Sequence, residues 1–258
     1  MLTIITTTRD NSDELSPTLA SLLAQSSRDF EWLIYDGSQD TPADVYGAFT
    51  QQAANHGIRA RFAHAQDSSI YEAMQNSLKH ASSEWCLFLN CGDMLCHPNV
   101  VLEVTSYFRP DADIVYGGNI YIDTDSSVHY HPGKPPEEIQ NELKEGRTPY
   151  YHHMVCQQSI FYRRSLLERI RLFPASLRLA ADHNHFLRLI QAKVPMLFFD
   201  KPISVYFGGG ASYRYVMNTY AEWMLNHLSF MGEDSDISPA CDHYLELMRS
   251  QLEEIQNA

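Results

Sequence analysis

Glu84-Trp85-Cys86-Leu87-Phe88-Leu89-Asn90-Cys91-Gly92-Asp93 is the stretch on which the fold turns. Its apolar run, WCLFL, lacks the in-out alternation of a half-solvated strand. It reads as a strand buried on both faces, the habit of parallel sheets. The run closes on polar Asn90, then Gly92 and acidic Asp93. Ligands of open α/β sheets bind beyond the carboxyl ends of such strands. A carboxylate there, beside a glycine that admits close approach, points to a metal or phosphate site.

Upstream of it, strand-like and helix-like segments alternate. Leu2–Thr7, Phe30–Tyr35 and Arg59–Ala65 read as strands. Between them, Ser16-Pro17 reads as a helix N-cap followed by proline, opening a helix to about Gln25, and a second helix runs from Pro42 to about His56. Ile70, Ala73, Met74, Ser77, Leu78 and Ala81 fall at helical spacing, and a further helix is expected from Pro98 to Phe108. This is the pattern of βαβ units and a parallel sheet. Downstream, Asp113–Gly117 reads as a short strand and Asn119–His131 as a hairpin turning at Thr124–Ser127. Gly133–Pro149 reads as a loop, with at most one helical turn. Ser159–Arg163, Met196–Phe199 and Ile203–Phe207 read as strands, and Asp182–Gln191 as a helix. The tail is helical, with one apolar stripe at Val216, Tyr220, Trp223, Met224, Leu228 and Met231 and another at Tyr244, Met248, Leu252 and Ile255.

The chain's 258 residues, 44% of them hydrophobic, suffice for one large domain or a domain with a tail. A formal charge of −13 argues against nucleic acid as a partner. Five cysteines, odd in number and without a CxxC pair, fit free thiols in a reducing cytoplasm. No signal peptide or membrane-length apolar run is evident.

Several motifs carry chemistry, each with a plainer alternative. Asp36-Gly37-Ser38-x-Asp40 follows the second strand, where a carboxylate and a hydroxyl suit a nucleoside; an ordinary polar turn has the same composition. Asp67 and Tyr71, at the start of the third crossover helix, would face the same crevice, or Asp67 or Ser68 would be only its N-cap. Asp93 suits Mg²⁺ or Mn²⁺ shared with a diphosphate. Asp182 reads either as a helix N-cap or as a general base. His183 and His185 are expected as exposed helix-face residues rather than ligands, and His152-His153 stays open between the two readings.

Taken in order, these residues resemble the family 2 glycosyltransferases of GT-A fold, in particular small bacterial enzymes of O-antigen, capsule and colanic-acid assembly. Thr6-Thr7-Thr8-Arg9 resembles the end of the family's nucleotide-contacting first strand, and Phe30 to Asp40 its "eWivvDGgSxDgT" stretch. Asp67 to Gln75 is similar to "DxGIYDAMN", which brings in Tyr71 and Met74. Leu87 to Asp93 is similar to "fLNsGD", which includes Asn90 and Gly92. Cys156-Gln157-Gln158 resembles "sHQ", Ala181-Asp182 resembles "aaD", and Phe207 to Ser212, with Gly209, resembles "fxxGGxS".

The resemblance implies an α/β GT-A domain over residues 1–212, with a mixed, mostly parallel sheet flanked by helices, and a helical extension over 213–258. It implies an inverting, Mn²⁺- or Mg²⁺-dependent transfer from a nucleotide-sugar, uridine-linked, to a glycan or polyprenol-linked acceptor. This would take place in the cytoplasm at the inner membrane face, with peripheral membrane contact. Copies of the chain would pair through the C-terminal helices. Asp36, Ser38 and Asp40 would hold the base and Asp67 the nucleoside. Asp93 would carry the metal, Asp182 would activate the acceptor, and Gln157, Gln158, Gly209 and Ser212 would lie on the acceptor or diphosphate side. The chain departs from the family at Ser69 (usually Gly), Gln75-Asn76-Ser77 (usually Asn-Lys-Gly) and Gln157 (usually His). The alternative is therefore a nucleotide-sugar-binding or assembly protein of the same fold without turnover.

Overall fold

The computed structural model describes residues 1–144, 156–170, 173, 176–231 and 236–257. His152-His153 and the end of the Gly133–Pro149 segment fall outside them. Four parallel strands lead: β1 (Leu2–Thr8), β2 (Phe30–Asp36), β3 (Arg59–His64) and β4 (Trp85–Phe88). The sheet continues through the short β5 (Met94–Leu95), β6 (Ile114–Ile122), β7 (Val128–His131), β8 (Ile160–Arg163) and β9 (Met196–Phe207). Its order is β3-β2-β1-β4-β8-β6-β9-β5, with β7 paired to β6. β8 runs against β4 and β6, so the sheet is mixed and mostly parallel.

The lost alternation in WCLFL has a direct cause. Trp85, Leu87 and Leu89 enter one core with Leu2, Ile4, Trp32 and Ile34, while Cys86 and Phe88 enter another with Ile5 and Leu33. Helices α1 (Leu15–Leu23), α2 (Ala43–Asn55) and α4 (Val100–Thr105) cover the first face. The second is covered by α3 (Ile70–Ser77), α5 (Pro136–Lys144), α6 (Arg164–Arg169) and α7 (Ala181–Gln191). Each such buried side chain contributes about 1.5–3 kcal/mol. α8 (Ala211–Arg214), α9 (Val216–Phe230) and α10 (Ser238–Asn257) follow the sheet.

Four expectations are corrected. Ser16 is not an N-cap: a 3₁₀ turn at Ser12–Glu14 leads directly into α1 at Leu15, so Pro17 sits inside its first turn. The segment after Gly133 holds the two-turn α5, because Ile139 finds a place in the second core. The two late strands are one, β9, which absorbs Asp200 and Lys201 as a bulge where the register jumps from Gly117↔Phe199 to Gly118↔Pro202. A Cβ on Gly117 would stand 2.7 Å from the carbonyl oxygens of both Phe199 and Lys201, so the bulge needs a glycine opposite it. In α9 the expected apolar stripe is only half-buried, Trp223 and Met224 included, and the fully buried residues are Thr219, Asn226 and His227.

Candidate functional site

The carboxyl ends of β1, β2 and β4 surround a cavity of about 190 Å³ lined by Thr7, Thr8, Arg9, Asn11, Gly37, Asp67, Ser69, Ile70, Ala73, Asn90 and Cys91. Parallel pairing puts these strand ends side by side, Thr8 opposite Asp36. Thr7 Oγ1 donates to Asn90 Oδ1 at 2.9 Å and Thr8 Oγ1 to Asn11 Oδ1 at 2.6 Å, which fixes the rim. Arg9, half-exposed, donates to the Ser68 carbonyl at 3.2 Å and supplies the cation among the lining residues. Burial pushes the Cys91 thiol up to about 12, so Cys91 is a neutral wall and not a nucleophile.

Asp67 is neither exposed nor a cap. The N-cap of α3 is Ser69, whose hydroxyl accepts the Glu72 N–H at 3.2 Å. Ser69 is extended, with φ −153°, so no glycine is required where the family carries one. Asp67 Oδ1 accepts from Asn76 Nδ2 at 2.6 Å, and Asn76 Oδ1 in turn accepts from Lys79 Nζ at 2.9 Å. The lysine missing at position 76 is thus replaced by a neutral amide backed by a cation one turn later. Asp67 Oδ2 is buried without a hydrogen bond, close to Gly37.

Other expected donor-side residues lie beneath the cavity. Asp36 is fully buried; its Oδ1 accepts both the N–H (3.1 Å) and the hydroxyl (2.5 Å) of Ser38, and Ser38 Oγ accepts the Asp10 N–H at 2.9 Å. This pair shapes the turn that carries Gly37. The Thr6 hydroxyl accepts the Trp32 indole N–H at 2.9 Å inside the core, and Met74 is buried in the second core, against which Tyr71 packs. Asp40 is exposed on the following loop.

Gly92 adopts φ +93°, a conformation that favours glycine, and turns the chain so that Asp93 points inward. Asp93 Oδ2 accepts from Gln158 Nε2 at 2.6 Å. Burial, augmented by the nearby Glu14 charge and opposed by the Gln158 bond, pushes its carboxyl up to about 7. Met94 pairs with Val205, and beyond β9 the glycines lie against the β6–β7 turn, Gly208 beside Tyr121 and Asp123 and Gly209 beside Thr124, with Gly209 at φ +85° and Ser212 exposed. Gln157 is buried and its Oε1 accepts the Tyr162 hydroxyl at 3.2 Å.

Asp182 is the second residue of α7, whose N-cap is Ala180. Its Oδ1 accepts the His183 N–H at 2.9 Å and the Tyr71 hydroxyl at 3.2 Å. Burial raises its pKa, the two hydrogen bonds oppose the rise, and the Glu222 charge adds to it. Cys156 joins the two acids: its Sγ donates to Gln158 Oε1 at 2.6 Å, and burial followed by the charges of Asp93 and Asp182 pushes its thiol well above the ordinary value. Asp93 is thus linked through Gln158 to Cys156, a thiol that also feels the charge of Asp182, while Tyr71 on α3 reaches Asp182 from the helix that follows Asp67.

His183 and His185 are corrected: both are buried, and burial pulls each down to about 3, keeping them neutral. His185 packs between Tyr162 and Phe173, at ring distances of 5.8 and 5.5 Å. Sequence reasoning missed Asn11, Glu14 and Glu222. Asn11 was signalled only by Asp10, whose φ of 55° bends the chain back over the cavity. Among the described residues no group of three or more His, Cys, Asp or Glu could hold a metal, and no helix is long and apolar enough to cross a membrane.

A PGL/p-HBAD biosynthesis glycosyltransferase of Mycobacterium bovis is 28% identical over 191 residues, 73% of this chain and 69% of that one. The same identity and coverage hold for a namesake from Mycobacterium tuberculosis. Among solved structures, S. aureus TarS 1-349 in complex with UDP-GlcNAc superposes with a TM-score of 0.64 at 15% identity, over 93% of this chain and 69% of that chain. The mannosyltransferase PcManGT from Pyrobaculum calidifontis, in complex with GDP-Man and Mn2+, gives 0.63 at 16%, over 95% and 68%. These likenesses show the GT-A fold. The family model for glycosyl transferase family 2 matches residues 3–171, which hold the whole cavity and Asp93, and this chain belongs to that family.

Proposed function

We propose that the protein is an inverting, divalent-metal-dependent glycosyltransferase that moves a monosaccharide from a uridine-linked donor to a glycan or lipid-linked acceptor in surface polysaccharide assembly at the cytoplasmic face. The observation that supports this reading is the hydrogen-bonded run from Asp93 through Gln158 to Cys156, whose thiol also feels the charge of Asp182. In this reading the base and ribose enter the cavity against Gly37 and Asp67, both of which line it. Asp36 acts through Ser38 on the turn beneath. Residues 1–212 form the transferase domain and 213–258 its extension, through which copies would pair.

The residues fit a divalent cation: Asp93 is a single buried carboxylate raised toward neutrality, with Glu14 near, and Mg²⁺ or Mn²⁺ needs only one or two carboxylates once phosphate oxygens join. Bound at Asp93, the cation would offset charge on the departing diphosphate. Asp182 takes the proton of the acceptor hydroxyl. The hydroxyl oxygen then forms the new bond to the anomeric carbon while the sugar–phosphate bond breaks, and its electron pair leaves with the diphosphate. A base raised by burial is suited to this near neutral pH. Arg9 offers a further positive contact to phosphate at the cavity mouth.

Purified full-length protein with Mn²⁺ and a panel of UDP-, GDP- and dTDP-sugars tests the proposal. One donor should release nucleoside diphosphate, slowly to water and faster with acceptor, and Asp182→Asn should abolish the acceptor-dependent part. No release from any donor, with nucleotide bound normally, would favour a binding protein of the same fold.

A further inference from the structure

The residues just ahead of Asp182 are held from outside their own helix. Glu222, on α9, accepts three successive backbone N–H groups: Arg178 at 3.1 and 3.2 Å, Leu179 at 2.9 Å and Ala180 at 2.8 Å. The Tyr71 hydroxyl shares its one proton between the Leu179 carbonyl, at 3.1 Å, and Asp182 Oδ1, and the Ala180 carbonyl accepts Asn226 Nδ2 at 2.9 Å. Every backbone polar group of Leu179 and Ala180 therefore has a named partner, and Ala180 and Ala181 are fully buried. We infer that Glu222 is a positioning residue, which clamps the Arg178–Ala180 backbone and through it fixes where the Asp182 carboxylate stands.

The inference rests on the reading of Asp182 as the base, and goes beyond it by making α9 part of the active site. It accounts for the polar residues that α9 buries. Asn226 and Glu222 lie one helical turn apart on the side turned to the loop, where backbone groups must find partners, and the apolar stripe is left half-exposed. An amide at 222 would offer a donor toward N–H groups that need only acceptors, so the carboxylate is chemically required. Its charge has a second effect, since it faces Asp182 and disfavours ionisation of that acid. The other groups facing Asp182 are Tyr71 on α3, Cys156 ahead of β8, Tyr162 on β8 and His183 on α7 itself.

The test uses the full chain and two variants, Glu222→Gln and Asp182→Asn. In Glu222→Gln the amides of Arg178, Leu179 and Ala180 should exchange hydrogen at least about ten-fold faster. UDP affinity with Mn²⁺ should stay within about two-fold. The titration midpoint of the Asp182 carboxyl, followed by carbon NMR, should move down by about half a unit or more, because a neighbouring negative charge is gone. Turnover should fall about ten-fold or more through kcat, with donor KM little changed. A variant that merely melts earlier, with exchange, midpoint and kcat as in the parent, would overturn the inference. Should Glu222→Gln fail to fold, Asn226→Ala keeps the carboxylate and removes the donor to Ala180: kcat should then fall with the midpoint unmoved, and parental kcat would count against the clamp. Full acceptor-dependent release by Asp182→Asn would remove the base reading alone, leaving the exchange result to judge the clamp.

Discussion

Tyr71→Phe removes one hydrogen bond to the proposed base and leaves the ring, which packs on Phe173 at 4.7 Å, in place. The direction of its effect follows from which form of Asp182 the hydroxyl favours. Tyr71 donates, so it stabilises the carboxylate and holds the Asp182 pKa below where burial alone would put it. Removing the donor must raise that pKa. A hydrogen bond to a charged group contributes about 1.5–3 kcal/mol. At 3.2 Å this one is long beside the 2.5–2.7 Å of strong hydroxyl–carboxylate pairs, so the low end applies. About 1.5 kcal/mol corresponds to roughly one pH unit. The His183 N–H, at 2.9 Å, stays and limits the shift. The acid limb of kcat/KM, measured as nucleoside diphosphate release from about pH 5 to pH 9, should move up by about one unit. The hydroxyl's single proton is shared with the Leu179 carbonyl at 3.1 Å, so about one unit is the upper bound of that shift. A limb that stays put, or moves down as expected for Glu222→Gln, would refute the assignment of that limb to Asp182.

Asp93→Asn should reduce UDP affinity in Mn²⁺ to the metal-free level by isothermal titration, and equal affinities with and without metal in the parent would remove the role given to Asp93. Glu31 is a structural counterpart at the opposite end of the strands. Burial alone would raise its carboxyl, but hydrogen bonds from Thr3 and Ser82 and the Arg61 charge hold it below its ordinary value of 4.5. A depressed folded pKa gives stability that is present above pH 4.5 and lost as pH falls through the lower folded value. Glu31→Gln should therefore lose about 1.5–3 kcal/mol in urea unfolding at neutral pH and show a flatter acid limb. A variant as stable as the parent would show that the cluster contributes nothing net. Gly117→Ala sets a Cβ 2.7 Å from two carbonyl oxygens of β9, so unfolding should come about 3 kcal/mol easier and Tm should drop by about 6–12 °C. An unchanged Tm would mean that the bulge yields.

Half of this site was written in local chemistry and half in long-range packing, and the two halves differ in how far they could be read. The parallel strands declared themselves because burial on both faces erases alternation, and their order put Thr7, Asp67, Asn90 and Asp93 at one edge without any side-chain geometry being known. What the strands could not declare was which way each side chain turned. Asp36 and Thr6 stand at the right edge but face inward, because Ser38 and the Trp32 indole offer buried partners that no spacing encodes. The histidines at 183 and 185 misled for the same reason: polar residues on a helix are expected outward, yet desolvation is tolerable for a ring that stays neutral. Glu222 is the extreme case. Its partners are backbone N–H groups, which every non-proline residue carries, so no sequence signature marks them. It sits, with Asp182, beyond the residues that the family model matches. In the proposed reading the donor half of the site is built from strand ends that a motif can name, whereas the half assigned to the acceptor is held by a helix that buries polar residues. Substitutions that look neutral on α9 should therefore alter turnover before they alter nucleotide binding.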